Sequence, residues 1–374
     1  MPLKFRAYCS IIILSDISSN ERSEAVLKIG LDLGYANITI SDPIAEIYRE
    51  PSVALITKEP RSDMRRIIAV GNEAMSSDFA EGDAGGGVLV RPFKNGLLFD
   101  SQITKEIITH AMRAVRGADK VRCAVGIPSD FMPKQEKELF AMLSDAGVAV
   151  SFTVARPVAA IIGAGYSPSM SVISVNIGAL STEIAVMHNG EVLRKKRVAI
   201  GGENFDRAVK EYILEQGEVS ISLMVARAIK ERLGAVWKGK PNDSIDIEGT
   251  LSLTGNKLRV NVTTEDIVGV FEAPMAALIQ AVFDVVKTIP KEAVEAIFAN
   301  GIVLTGGGAE LFGIEVLMSK VLGISVTKPE GAIDCVAKGL SRINAFVSSR
   351  AKVNGKNITD DVAAYYESSK KSKS

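Results

Sequence analysis

The chain has 374 residues, 47% hydrophobic and 24% charged, with 44 basic and 44 acidic side chains. That profile belongs to a globular protein with room for two cores, and a net charge of zero gives no field for nucleic acid, which is excluded as a partner. Three cysteines (Cys9, Cys123, Cys335) fit neither a disulfide framework nor a zinc cluster, so a reduced, cytoplasmic setting is expected.

No run reaches the about 18–20 apolar residues of a membrane span. Residues 1–25 are expected to be an N-terminal extension. Within them, Lys4 and Arg6 precede the short apolar run AYCSIIIL, so residues 1–20 are a candidate for weak peripheral contact with the inner face of the cell membrane. AVLKIGLDLGYANITISD then reads as a β-hairpin turning at Gly34, followed by strands at PSVALI and RRIIAVG and a flexible loop at GDAGGGVLV. SQITKEIITHAMRAV has helical spacing, VRCAVGIP is a buried strand and PKQEKELFAMLSDAG is an amphipathic helix. In VARPVAAIIGAG, Arg156 stands at the mouth of an otherwise small and apolar helix. His110 and His188 lack a partner motif and read as surface positions of a helix and a hairpin.

The plan then recurs. SMSVISVNIGALSTEIAVMHNGEV is again strand, glycine turn and strand, with Asn189-Gly190 turning into a third strand. Helices follow at NFDRAVKEYILEQ and SLMVARAIKERLGAV, then strands between Ser244 and Val262, one long helix over TEDIVGVFEAPMAALIQAVFDVVKTI, the strand GIVLTGG and a helix over AELFGIEVLMSKVLG. The duplication predicts two similar α/β domains facing each other across a cleft. Residues 26–165 with 331–350 form the first, with an insert at about 50–95; residues 166–330 form the second, with an insert at about 204–265; residues 351–374 are a flexible tail.

Three glycine turns carry the chemistry. In DLGYAN, Asp32 ends a buried strand where an acid can hold hydrated Mg²⁺, while the backbone of Gly34, Tyr35, Ala36 and Asn37 can cradle phosphate. NIGALST, with Gly178, Ala179, Leu180 and Ser181, answers it from the second half. In LTGGGAELFG, Gly306, Gly307 and Gly308 let a nucleotide approach the backbone at a strand–helix junction. Each turn alone is weak; the three in this order, within a duplicated frame, are specific.

With these motifs the chain resembles the actin-like ATPases, and among them the bacterial MreB family, from about Leu27 to Phe346. The stretches VRPFKNGLLFD, RPVAAIIGAG, RVAIGGENFDRAV, GIVLTGGGAELFG and DCVAKGL carry the likeness, and the magnetosome actin MamK is the nearest competitor within that group. The resemblance implies a duplicated ribonuclease-H-like fold with ATP or ADP in the interdomain cleft. It also implies self-assembly into paired protofilaments serving cell shape or intracellular positioning, with a second MreB-like protein as a candidate partner.

Residue by residue, the resemblance places Asp32, Gly34 and Asn37 on the family's first phosphate turn, Gly306 to Gly308 on its adenosine turn, and Gly201, Gly202, Glu203 and Lys230 in matched stretches. It also exposes departures. Asn176 stands where the family has an aspartate, Arg156 where it has the glutamate that polarises water, and Arg227 where it has a glutamate near the ribose. Arginine only donates and cannot accept a proton. Hydrolysis is therefore expected to be weak and Mg²⁺ dispensable, with Arg156 facing the phosphates; the alternative is that Arg156 turns outward to a surface acid. Glu183 and Glu203 are the candidates if another acid positions water, and Leu180, where the family has glycine, can instead crowd the site.

Overall fold

The computed structural model describes residues 26–58, 65–76, 87–94, 97–98, 100–115 and 117–371. The N-terminal extension, its candidate membrane contact, Cys9 and most of the GDAGGG loop lie outside the described residues.

Two sheets repeat one topology. In the first, β1 (Val26–Leu33), β2 (Asn37–Ser41) and β3 (Glu46–Pro51) form an antiparallel meander; β1 also pairs in parallel with β4 (Lys120–Ile127), and β4 with β5 (Val150–Ala155). In the second, β6 (Val172–Ile177), β7 (Thr182–His188) and β8 (Glu191–Val198) make the meander, and β6 continues in parallel to β9 (Ile302–Thr305) and β10 (Val326–Thr327). The parallel steps require helical crossovers, supplied by Ser101–Met112 and Pro133–Asp145 in the first half and by Gly202–Gly217, Glu272–Val286 and Ile314–Leu322 in the second. β6 is buried throughout, as a strand covered on both faces must be. At the β7–β8 turn, Asn189 and Gly190 take φ of 50° and 89°, the left-handed pair that matches hairpin twist.

The helix Arg156–Gly163 leaves β5 and packs backbone against backbone on Cys335–Phe346, because a Cβ on Gly163 or Gly339 would fall on the carbonyl of Cys335 or Ala159. One apolar cluster joins the halves, with Val154 and Ala159 of the first touching Val172, Met187 and Val303 of the second.

Four expectations are corrected. Val88–Val90, expected within a flexible loop, is a strand, because it pairs antiparallel with Ala54, Leu55 and Ile56. The long helix predicted over residues 264–289 is broken: Thr264–Ile267 starts from a capping box at Thr263, Gly269 at φ 94° ends it, and Glu272–Val286 starts anew. The helix predicted from Ala309 is a 3₁₀ turn, Gly307–Glu310, separated from Ile314–Leu322 by Gly313 at φ 76°. Residues 351–371 are not a flexible tail. Lys356–Asn357 joins the first sheet as β11 beside β5, Val362–Lys371 is helical, and Val353, Ile358 and Val362 are buried. Their few apolar anchors are spaced too widely to show through a polar segment.

Candidate functional site

β1, β6 and β9 all end at one place, the carboxyl edge of their sheets, where open α/β folds collect ligands. The turns after them meet around a cleft of about 460 Å³, within the usual range for small-molecule sites. Asp32, Gly34, Tyr35, Ala36 and Asn37 line one wall; Asn176, Gly178, Ala179, Leu180 and Ser181 line the other; Gly202, Arg227, Lys230, Gly306, Gly307 and Gly308 close the end.

Two predicted residues do not line it. Gly201 caps the Gly202–Gly217 helix and is wedged against the turn at Gly178 and Ala179, where a Cβ would stand 2.7 Å from either carbonyl oxygen. Glu203 pairs with Arg207 at 2.7 Å and hydrogen-bonds the Tyr35 hydroxyl, which burial and then the Glu203 charge hold above the usual tyrosine range. Glu203 therefore joins the two walls without facing the cleft. Its helix is also committed: the Gly202 and Glu203 N–H groups donate to the Gly178 and Ala179 carbonyls at 2.9 and 2.8 Å.

Arg156 faces inward. Its side chain is 14% exposed, which overturns the alternative of an outward pairing with a surface acid. Nε donates to Asp32 Oδ1 at 2.9 Å, Nη1 to Glu183 Oε1 at 3.4 Å, and Nη2 to the Leu33 carbonyl. Glu183 is 3% exposed, and its other oxygen accepts from the Ser129 N–H and hydroxyl at 2.8 and 2.9 Å. Burial pushes the Glu183 carboxyl up, with Arg156 and Ser129 pulling back. For Arg156, burial works against the charge, but Asp32 and Glu183 outweigh it and raise the guanidinium above its ordinary value. One guanidinium thus bridges an acid of each sheet. Asn176 beside it is neutral, and its Oδ1 accepts from the Thr305 hydroxyl at 3.2 Å.

At the other end Lys230 pairs with Asp206 at 2.6 Å and donates to the Gly202 carbonyl at 3.1 Å, while Arg227 reaches the same carboxylate at 3.3 Å. Two cations share one buried acid at this end of the cleft, which Glu231 also lines. Gly306 takes φ 85°, and a Cβ there would meet Asn176 Oδ1 at 2.7 Å, so this turn is locked onto β6. Gly202 and Gly307 are the open ones: a Cβ would touch only the Lys230 ammonium at 3.2 Å or the tip of Ile333 at 3.7 Å, besides the Gly178–Ala179 backbone at 3.8 Å.

Sequence reasoning missed several supports. Arg91 donates to the carbonyls of Tyr35, Ala36 and Ser52 at 2.9 to 3.3 Å and stacks on Tyr35, holding the first turn from behind. Arg49 lines the cleft and pairs with Glu46 and Asp334. Arg91 and Asp206 sat in stretches that carried the resemblance, and Ser129 offered no signal.

The cleft's volume, its open glycines and the basic pair Arg227 and Lys230 fit an adenine nucleotide. Mg²⁺ fits poorly. A divalent cation needs free carboxylate oxygens. Here Arg156 engages one oxygen each of Asp32 and Glu183, Ser129 takes the second oxygen of Glu183, and Asn176 carries no charge, so of these three side chains only the second oxygen of Asp32 is left for a metal.

A family model described as MreB/Mbl protein matches residues 26–352. The chain belongs to the MreB/Mbl family. It is 29% identical over 318 residues to the cell shape-determining protein Mbl of Bacillus cereus, covering 83% of this chain and 93% of that protein. Against the cell shape-determining protein MreB of Escherichia coli it is 28% identical over 318 residues, covering 83% and 91%. Among solved structures, MreB 5 of Spiroplasma citri bound to AMPPNP matches with a TM-score of 0.77 at 21% identity, covering 84% of this chain and 95% of that one. The MamK double helical filament matches at 0.71 and 21%, covering 86% and 99%. This MreB/Mbl-family chain therefore has the two-domain actin-like α/β fold, and its β6, β7 and glycine turns are the second copy of the repeat. Among the described residues no helix is long and apolar enough to cross a membrane.

Proposed function

We propose that this MreB/Mbl-family protein is a cytoskeletal filament subunit that holds adenine nucleotide in its cleft and hydrolyses it slowly, with little need of Mg²⁺. Relatives named as cell shape-determining support a role in shape or intracellular positioning. MreB 5 of Spiroplasma citri, bound to AMPPNP in one structure and to ADP in another, supports nucleotide as the ligand. The MamK double helical filament supports self-assembly. The observation that carries the reading is Arg156 bridging Asp32 and Glu183: a fixed cation holds one oxygen of each carboxylate, and of that pair only the second Asp32 oxygen is left to share a metal or orient water. The domain limits follow the two sheets, with residues 351–371 added to the first. Residues 1–20 stand as the segment for weak, avidity-dependent membrane contact.

A second reading, a non-hydrolysing subunit that co-assembles with an ordinary MreB, draws on the same altered cleft. Electron microscopy and pelleting of the purified protein, with and without ATP, separate the two. Filaments formed by the protein alone are expected. A protein that stays monomeric at high concentration across nucleotides, yet co-pellets with an ordinary MreB, replaces the first reading by the second.

A further inference from the structure

The last stretch of the chain is anchored in both halves of the molecule. It begins where the family match ends, at residue 352. On the first sheet, the Ser151 N–H donates to Asn354 Oδ1 at 3.0 Å and the Gly355 N–H to the Ser151 carbonyl at 2.8 Å; β11 pairs in parallel with β5 at Phe152 and Thr153. The Ile358 N–H then donates to the Thr153 carbonyl at 3.0 Å, and the Thr359 hydroxyl accepts from the Ala155 N–H at 2.9 Å. Ala155 is the residue immediately before Arg156. Beyond Thr359 the chain turns onto the second half. Asp360 lies 3.7 Å from Lys195 of β8, and Glu367 accepts from the Ser169 hydroxyl at 3.1 Å. Ala363 sits against the Gly190 turn so closely that a Cβ on Gly190 would stand 2.9 Å from its own. Val362 and Ile358 are buried in the cluster that holds Val172, Met187 and Val303 of the second sheet, with Val192 of β8 packed against it.

We propose that residues 353–371 form a strap that fixes the angle between the two actin-like domains, by pairing with β5 of one and packing on the β7–β8 turn of the other. The reason is geometric. The covalent chain passes between the sheets through the segments after Gly163 and before Cys335, both of which can act as hinges. A third attachment, made of sheet hydrogen bonds at one end and apolar contact at the other, removes the rotation those hinges allow. Because it also holds the backbone at Ala155, the strap ties that angle to the seat of Arg156. The inference does not require nucleotide or filaments, and stands or falls apart from the proposed function.

The test uses the full-length chain with Cys9→Ser and spin labels at Ile44→Cys and Leu253→Cys, positions 86% and 84% exposed on the first and second halves. The parent is expected to show one narrow distance distribution, unchanged by AMPPNP. Ala363→Arg pushes the helix off the Gly190 turn without touching β11; it should broaden the distribution at least about twofold while the circular dichroism stays native. An equally narrow distribution in folded Ala363→Arg overturns the strap. Should Ala363→Arg not fold, Asp360→Lys with Glu367→Ala removes the exposed contacts to Lys195 and Ser169, along with the exposed Glu367–Lys370 pair within the helix. Broadening there supports the strap, and a parental distribution there overturns it.

Discussion

Arg156→Met should lower the unfolding free energy by about 3–5 kcal/mol at pH 7, the cost of stripping a buried ion pair of one partner. Methionine keeps most of the volume, so the loss reports charge. Glu183, at 3% exposure, bears most of it; Asp32, at 21%, is better solvated and bears less. The effect should depend on pH in a set direction. Burial already holds the Glu183 carboxyl above its ordinary value, and losing Arg156 removes the largest opposing pull. A carboxyl raised in the folded state favours folding while protonated and loses that contribution as pH rises through its folded value. The deficit of the variant should therefore be greatest at neutral pH and shrink as pH falls into the acid range. Urea midpoints across that range check it. Adding Glu183→Gln to Arg156→Met should recover most of the loss, whereas a deficit under about 1 kcal/mol that ignores pH would mean the bridge carries little energy.

Arg156→Glu together with Asn176→Asp should raise phosphate release at least about 10²-fold, the low end for a restored water-orienting base. The pair replaces one fixed positive charge and one amide by two carboxylates, beside Asp32 and Glu183. Aspartate at position 176 keeps an acceptor for the Thr305 hydroxyl, which now bonds Asn176 at 3.2 Å, so the turn at Gly306 stays seated. The like charges repel without a counter-ion, and the variant should melt below the parent in EDTA and regain the difference in Mg²⁺. Single substitutions should each achieve far less, because residues that act as a unit are not additive. Phosphate release at parental rate in the double variant, with no response of the melting temperature to Mg²⁺, would mean that these two positions do not limit the chemistry.

The duplicated frame was readable because it is written in local signals: β1 and β6 are apolar runs ended by glycine turns, and Asn189-Gly190 announces its hairpin. The three turns that build the cleft were legible for the same reason. What failed was interruption and long-range packing. Gly269 and Gly313 break helices whose apolar spacing continues across them, and a single glycine in a periodic stretch does not reveal that its φ is positive. The anchors Val353, Ile358 and Val362 are too sparse to mark a packed segment, since their partners lie on β5 and the β7–β8 turn. Arg156 could be assigned to the cleft from its motif, but not its posture. Its orientation depends on Glu183 and Ser129, from two different sheet edges, and no spacing in the chain connects them.

The central question is whether a guanidinium has taken the place of a metal in the cleft of an MreB/Mbl-family protein. The most direct measurement is polymer mass and phosphate release for the unmodified protein with ATP, in Mg²⁺ and in EDTA, from the same preparation. If it has, polymer mass is equal in both, and phosphate release is slow and unchanged by the metal. Brisk release in Mg²⁺, with release and filaments both lost in EDTA, would contradict it.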